Sequence, residues 1–380
     1  MKTIRGIGIA LLVLIASCSS PPEPAIETAW GNATTVEKLA IGVEFGNDEY
    51  MFGGILSIAV GADGTMYVSD RQQDIVRMYD AEGIFVRDIG RQGQGPGEYS
   101  VAPMLGVLPS GDLVVREGMT SRISFFTARG EYLDSFPSAP GYEFVIDRDG
   151  NIHAQRFEGD VELVEYSRTG EEVGRVAFPP RDRAGDATFV LGFGEGDIFA
   201  FPTETHSVRS PFGYLVTGRN DAYDIEVRHP EGTIHLRRDV EPAPVDSDEQ
   251  AEWEAFRQSL VERAQARDRD TRYEPIPDVK PFFRRFWVGD DGRIWVFRYV
   301  TAYKRDDIEP LPERPERPLL TWREPWTYDV FEPDGTFLGS VAVPETLVPF
   351  VFRGDRIWGA LADEEGVERV VRLRVVPGEA

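Results

Sequence analysis

Glycines at turn positions recur along this chain in pairs about nineteen residues apart, and that spacing constrains the fold more than any other feature. Gly64 and Gly83, Gly111 and Gly130, Gly150 and Gly170, and Gly213 and Gly232 are separated by 19, 19, 20 and 19 residues. Around each pair lie runs that alternate apolar and polar, as in "MYVSDRQQDIVRMYDAEGIFVRDIG". Period-two alternation with glycine at the turns marks short antiparallel strands. A unit repeated at constant spacing buries its apolar face only against its neighbours. A fifth unit opens at Gly292 and closes at Gly335, a gap of 43 that holds a long insertion; a sixth opens at Gly354 and runs out of chain after its third strand.

The expected fold is therefore all-β: a six-bladed β-propeller of four-stranded antiparallel blades. The apolar-rich segment 36–45, "VEKLAIGVEF", is left to supply the missing strand of the last blade. Sealing the ring with the two ends of the chain leaves no long open edge. Seven blades are the alternative, because "GDIFAF" at 196–201 could open another.

The stretch "GRQGQGPGEYSVAP" (90–103) has the glycine density of a phosphate cradle. A cradle needs its loop to feed a helix N-terminus, where free N–H groups meet the anion. Here a strand-like "MLGVL" follows, and Pro96 removes one N–H. The stretch reads as a joint between blades.

The first two units resemble NHL-type six-bladed propeller repeats. The resemblance rests on Val68-Ser69-Asp70, Arg122-Ile123, Gly83 and Gly95-Pro96-Gly97-Glu98-Tyr99, over about 45–136. Asp74-Ile75 departs from the Arg-Ile of that pattern, and later units diverge further. The resemblance implies fold rather than chemistry.

The chain begins with a basic head, Met1, Lys2 and Arg5, and a short apolar run from Gly6 to Ala16, too short to span a bilayer. This is the pattern of an export signal. Its end, Ile15-Ala16-Ser17-Cys18, resembles the lipobox of bacterial lipoproteins, and Cys18 is the only cysteine. The resemblance implies lipidation of Cys18, and no intramolecular disulfide can form. The expected organisation is a signal peptide (1–17), a Pro- and Ser-rich tether (18–35) and a propeller domain (36–380) in the bacterial envelope. An outer-membrane anchor facing the periplasm is favoured. The formal charge of −24 argues against nucleic-acid partners.

Insertions at 179–210, 240–281 and 300–325 all fall on the face that carries the joints and the loops between second and third strands, while the opposite face keeps tight turns. Loops on a rigid scaffold carry function. Within the second insertion, at about 246–270, Trp253, Phe256, Leu260, Val261 and Ala264 have helical spacing, with Asp246 or Ser247 as N-cap. An amphipathic helix packed on the propeller is expected.

Candidate ligand residues on this face are Arg116, Arg122, Arg219, Tyr299, Trp322 and Trp326, with Tyr303 nearby; aromatic faces suit sugar rings or peptide side chains, and arginines suit carboxylates. Packing on the blades is the competing role for all of them. His229 and His235 flank "PEGT" as hairpin residues, and "DRDGN" (147–151) reads as a turn rather than a calcium loop, which would need a distal acidic ligand. No nucleophile elbow or Walker loop occurs. The sequence favours a binding protein for a protein, peptide or glycan, with no cofactor beyond the lipid. The alternative, implied by propeller relatives, is a metal-dependent hydrolase or lyase of the lactonase type. Calcium or another divalent metal would be needed only there.

Overall fold

The computed structural model describes residues 30–117, 120–141, 143–156, 162–177, 200–268, 274–310, 317–363 and 365–378. Cys18, the export signal and most of the tether lie outside the described residues. So does the start of the segment 196–201; its last two residues, Ala200 and Phe201, belong to no strand.

Four four-stranded sheets follow one another along the chain. They run from Ile55–Val60 to Phe85–Ile89, from Met104–Val107 to Tyr132–Pro137, from Phe144–Ile146 to Glu172–Ala177 and from Thr205–Arg209 to Gly232–Arg237. Each is a meander whose consecutive strands pair antiparallel. An eight-stranded sheet follows, made of two four-stranded halves. One half holds Phe283–Val288, Ile294–Arg298, Trp326–Phe331 and Phe337–Val343; the other holds Leu347–Arg353, Arg356–Ala362, Glu368–Val376 and, from the other end of the chain, Gly31–Ile41. Below, these halves are called the fifth and the last sheet. The architecture is an all-β propeller.

Glycine makes the tight turns possible. Gly64, Gly83, Gly111, Gly130, Gly150, Gly170, Gly213, Gly292 and Gly335 all have φ between 82° and 93°, where a side chain is strained. Asp63 and Asp334 brace two of these turns, each accepting a hydrogen bond from the backbone N–H two residues on. Those bonds hold both carboxyls below the usual carboxylate range.

Gly31–Ile41 pairs antiparallel with Glu368–Val376, while its first three residues run parallel to Gly339–Val341. The strand starts earlier than its composition suggests, inside the segment expected to be tether. Backbone pairing, not side-chain burial, places it: only Ala33 and Ile41 are buried, and Val43 and Phe45, whose apolarity pointed to 36–45, lie beyond it in solvent. Trp30 extends the docking. Its N–H donates to the Leu338 carbonyl, and its indole packs 5.8 Å from that of Trp295.

Apolar clusters fill the junctions between neighbouring sheets. They join first to second, second to third, fourth to fifth, fifth to last and last to first. Between the third and fourth sheets the described residues form no such cluster.

The glycine-rich stretch is a joint. Arg91–Gln92 and Glu98–Tyr99 form a two-residue parallel ladder within it, and the strand Met104–Val107 follows. Gly90 has φ +66°, and a Cβ there would lie 2.6 Å from the Tyr99 ring. Tyr99 is buried, donates its hydroxyl to the Ile89 carbonyl and accepts from the Val76 N–H.

Candidate functional site

The described parts of two of the insertions meet at one cleft. Ala200, Phe201 and Thr203 reach it from the joint into the fourth sheet, and Asp221 from that sheet's second loop. The joint into the fifth sheet adds Pro242, Glu274, Pro275, Pro277, Val279, Lys280, Pro281 and Phe282. The cavity volume is 330 Å³. Its walls are set before any ligand arrives, because proline fixes φ and the phenylalanine rings are locked by packing. Phe201 meets Tyr299 and Trp253 edge-on at 5.8 and 5.7 Å. Val279 is 47 % exposed, an apolar side chain presented to solvent at the rim.

A buried ion cluster fastens the cleft to the propeller. Lys280 Nζ, with no side-chain exposure, lies 2.7 Å from Glu249 Oε1 and 3.0 Å from Glu324 Oε1. Arg284 pairs with the same Glu324 oxygen at 2.8 Å, and the other oxygen accepts from the Val300 N–H. Two cations thus face two carboxylates, which is what makes such burial tolerable. Burial pushes the Glu249 carboxyl up, although the Lys280 bond pulls the other way.

Glu249 belongs to the helix Ser247–Gln265, which begins where Asp246 accepts from the Asp248 N–H at 2.8 Å. Phe256 and Val261 are buried from the expected stripe; Trp253, Leu260 and Ala264 are half-buried. Glu252, one turn on, accepts from the N–H and hydroxyl of Thr321 in the third insertion.

The residues singled out in the sequence separate into two groups. Arg116 is fully buried and donates to the Ala139, Glu143 and Gln155 carbonyls, clamping the joint between second and third sheets. Burial lowers its pKa to about 10. Arg122 pairs with Glu117 and donates to the Gln94, Gly95 and Glu98 carbonyls of the glycine-rich joint. Both lie away from the cleft. Trp326 packs against Phe297 at 5.3 Å, in the core between fifth and last sheets. Trp322 is half-buried in a short ladder opposite Lys304, beside the exposed Tyr303.

Tyr299 and Arg219 lie next to the cleft without lining it. Tyr299 is buried beneath it with Phe201 and Val245, under the Arg284 guanidinium. Arg219 pairs with the lining residue Asp221 at 2.7 Å. What sequence reading missed is the wall itself: "EPIPDVKPFF" sets three prolines and two phenylalanines around Lys280, a proline density that could have been noticed.

His229 and His235 sit in the hairpin of the fourth sheet as expected. The His229 ring lies 4.4 Å from that of Tyr214, and His235 pairs with Asp224.

Residues 46–102, the first sheet and its glycine-rich joint, match the DUF5128 family, described as a 6-bladed beta-propeller. No curated protein matches the chain. Among solved structures the chain is similar to a protein of Bacteroides fragilis described as exported, at 10 % identity and TM-score 0.49, over 93 % of this chain and 99 % of that one. A member of the DUF4221 family from Bacteroides vulgatus gives 10 % identity and TM-score 0.49, over 93 % and 100 %. Virginiamycin B lyase from Staphylococcus aureus gives 12 % and 0.41, over 89 % and 99 %. Likenesses this distant carry no argument about activity. The propeller assignment rests on the sheets and on the matched segment.

Proposed function

We propose that this chain is an exported lipoprotein of the bacterial envelope, anchored through Cys18, whose six-bladed ring is closed by Gly31–Ile41 and binds a peptide segment of a partner protein in the loop-face cleft. The observation that carries this reading is the cleft: a pre-formed apolar wall of prolines and phenylalanines, with the Asp221 and Glu274 carboxylates at its edge. Apolar walls supply affinity and a few placed charges supply orientation. A segment with an apolar side chain beside a lysine or arginine matches both features. The export pattern and lipobox at the N-terminus support the location, and the net charge of −24 favours a partner with basic groups.

Cys18→Ser is expected to abolish metabolic lipid labelling and to release the protein into the soluble fraction. Labelling that persists in the variant contradicts the anchor. For the cleft, Val279→Arg combined with Asp221→Arg is expected to weaken partner capture at least about tenfold by removing an apolar contact and reversing a charge. Asp63→Asn and Asp334→Asn, in turns opposite, should leave capture unchanged. Loss of capture in the turn variants alone would place the site on the other face.

A further inference from the structure

Among the described residues the junction between the third and fourth sheets holds no apolar cluster, and strand alternation shows which groups face it. Ile152, Ala154, Val164 and Tyr166 join the cluster shared with the second sheet. His153 and Glu165 therefore point the other way, toward the fourth. They are cross-strand neighbours. His153 is fully buried. Its Nε2 lies 2.9 Å from Asp147 Oδ2, and its Nδ1 lies 4.0 Å from Glu165 Oε2.

Asp147 decides the tautomer. Its Oδ1 accepts from the Asp149 and Asn151 N–H groups, and its Oδ2 from the Asn151 side chain as well as from His153. Both Asp147 oxygens act as acceptors in these bonds, so the Nε2 that faces Oδ2 carries the proton. Nδ1 is left as a buried lone pair with no hydrogen-bond partner among the described residues. The group it faces, the Glu165 carboxylate, is a second acceptor. Two acceptors turned toward each other call for a cation between them; ligand atoms about 2.0–2.2 Å from a tetrahedral zinc-class ion lie roughly 3.4 Å apart, so the partly exposed Glu165 side chain closes onto the ion from its 4.0 Å position.

We propose that His153 Nδ1 and the Glu165 carboxylate bind a divalent transition-metal ion of the zinc class at this seam, with Asp147 as the partner that orients the imidazole. A mixed nitrogen and oxygen donor set selects zinc, cobalt or nickel over calcium or magnesium. A metal-ligating histidine characteristically gives its other N–H to a carboxylate, the role Asp147 fills. The Glu165 side chain is 24 % exposed, which gives the ion a path from solvent and room for water in its remaining positions. The site lies within a sheet and is independent of the cleft.

Titration of the full-length protein in detergent with Co²⁺, followed by displacement with Zn²⁺, tests this. A saturable cobalt absorption band that zinc abolishes is expected. His153→Gln and Glu165→Gln should each weaken binding at least about tenfold, and Asp147→Asn by about 10–100-fold. His235→Ala, which removes the exposed His235–Asp224 pair, should change nothing. Because His153→Gln could disturb the buried turn, Glu165→Gln, with circular dichroism matching the parent, is the deciding variant. Absence of saturable binding, as a bridging water in place of the ion would give, overturns the proposal. So does binding that survives Glu165→Gln or is lost in His235→Ala.

Discussion

Lys280→Met is expected to destabilise the insertions by about 3–5 kcal/mol, because it leaves two buried carboxylates with a single remaining cation. Glu249 and Glu324 would share only Arg284, which contacts Glu324 and not Glu249 in the present arrangement. The methionine fills most of the lysine's volume, so the loss reports charge rather than a cavity. Adding Glu249→Gln should recover part of the loss, since the uncompensated charge is then gone and the two substitutions share one network. The pH dependence has a defined sign. The folded-state pKa of Glu249 is already raised by burial, so its charged form weakens the fold as pH rises above the ordinary carboxyl value of 4.5. Removing Lys280 raises it further, so the deficit should be larger at neutral pH than near pH 5. Urea unfolding at both pH values, with limited proteolysis of the helix Ser247–Gln265 as a local probe, reads the result. A deficit independent of pH would mean that Glu249 is not the group left exposed to the loss.

Deleting residues 30–41 is expected to make the protein aggregate. The strand pairs along seven residues of Glu368–Val376, and Ala33 and Ile41 belong to two different junction clusters. Its removal uncovers an edge that carries Val370, Val371, Leu373 and Val375, all buried in the intact protein. An exposed, regular, apolar edge is a template for intermolecular pairing. The share of protein eluting as high-molecular-weight aggregate in size-exclusion chromatography should rise above that of the intact protein. Deleting 20–29 instead should leave the melting temperature unchanged. Equal tolerance of both deletions would show that the last sheet is stable with three strands.

The ring was legible in the sequence because its turns impose a backbone requirement that only glycine meets cheaply. Seven of the eight glycines in the four regular pairs share one narrow φ range, Gly232 being the exception, and Gly292 and Gly335 of the fifth unit fall in it too. The start of the strand Gly31–Ile41 was not legible, since "GNATT" pairs through its backbone and buries a single side chain, Ala33. Arg116 and Arg122 stood out as candidate ligand residues for a related reason. A joint between sheets leaves carbonyls unpaired, and an arginine that caps them carries the same one-letter signal as one aimed at a ligand. The ion cluster under the cleft was hidden by distance along the chain. Glu249 reads as the solvated face of a helix until Lys280 and Glu324 are brought to it. Of the other candidates, Tyr299 packs beneath the cleft and Arg219, at the end of the strand Leu215–Arg219, touches it only through Asp221.

A partner held in the cleft on the loop face would come within reach of Val279, the exposed side chain of its lining. The most direct test is a photo-crosslinking amino acid placed at Val279 of the full-length protein in its own cells, with the same probe at Asp334 in a turn opposite. The account predicts a discrete crosslinked species from Val279 that disappears when Asp221→Arg is added, and none from Asp334. A species formed from Asp334 and absent from Val279 would contradict it.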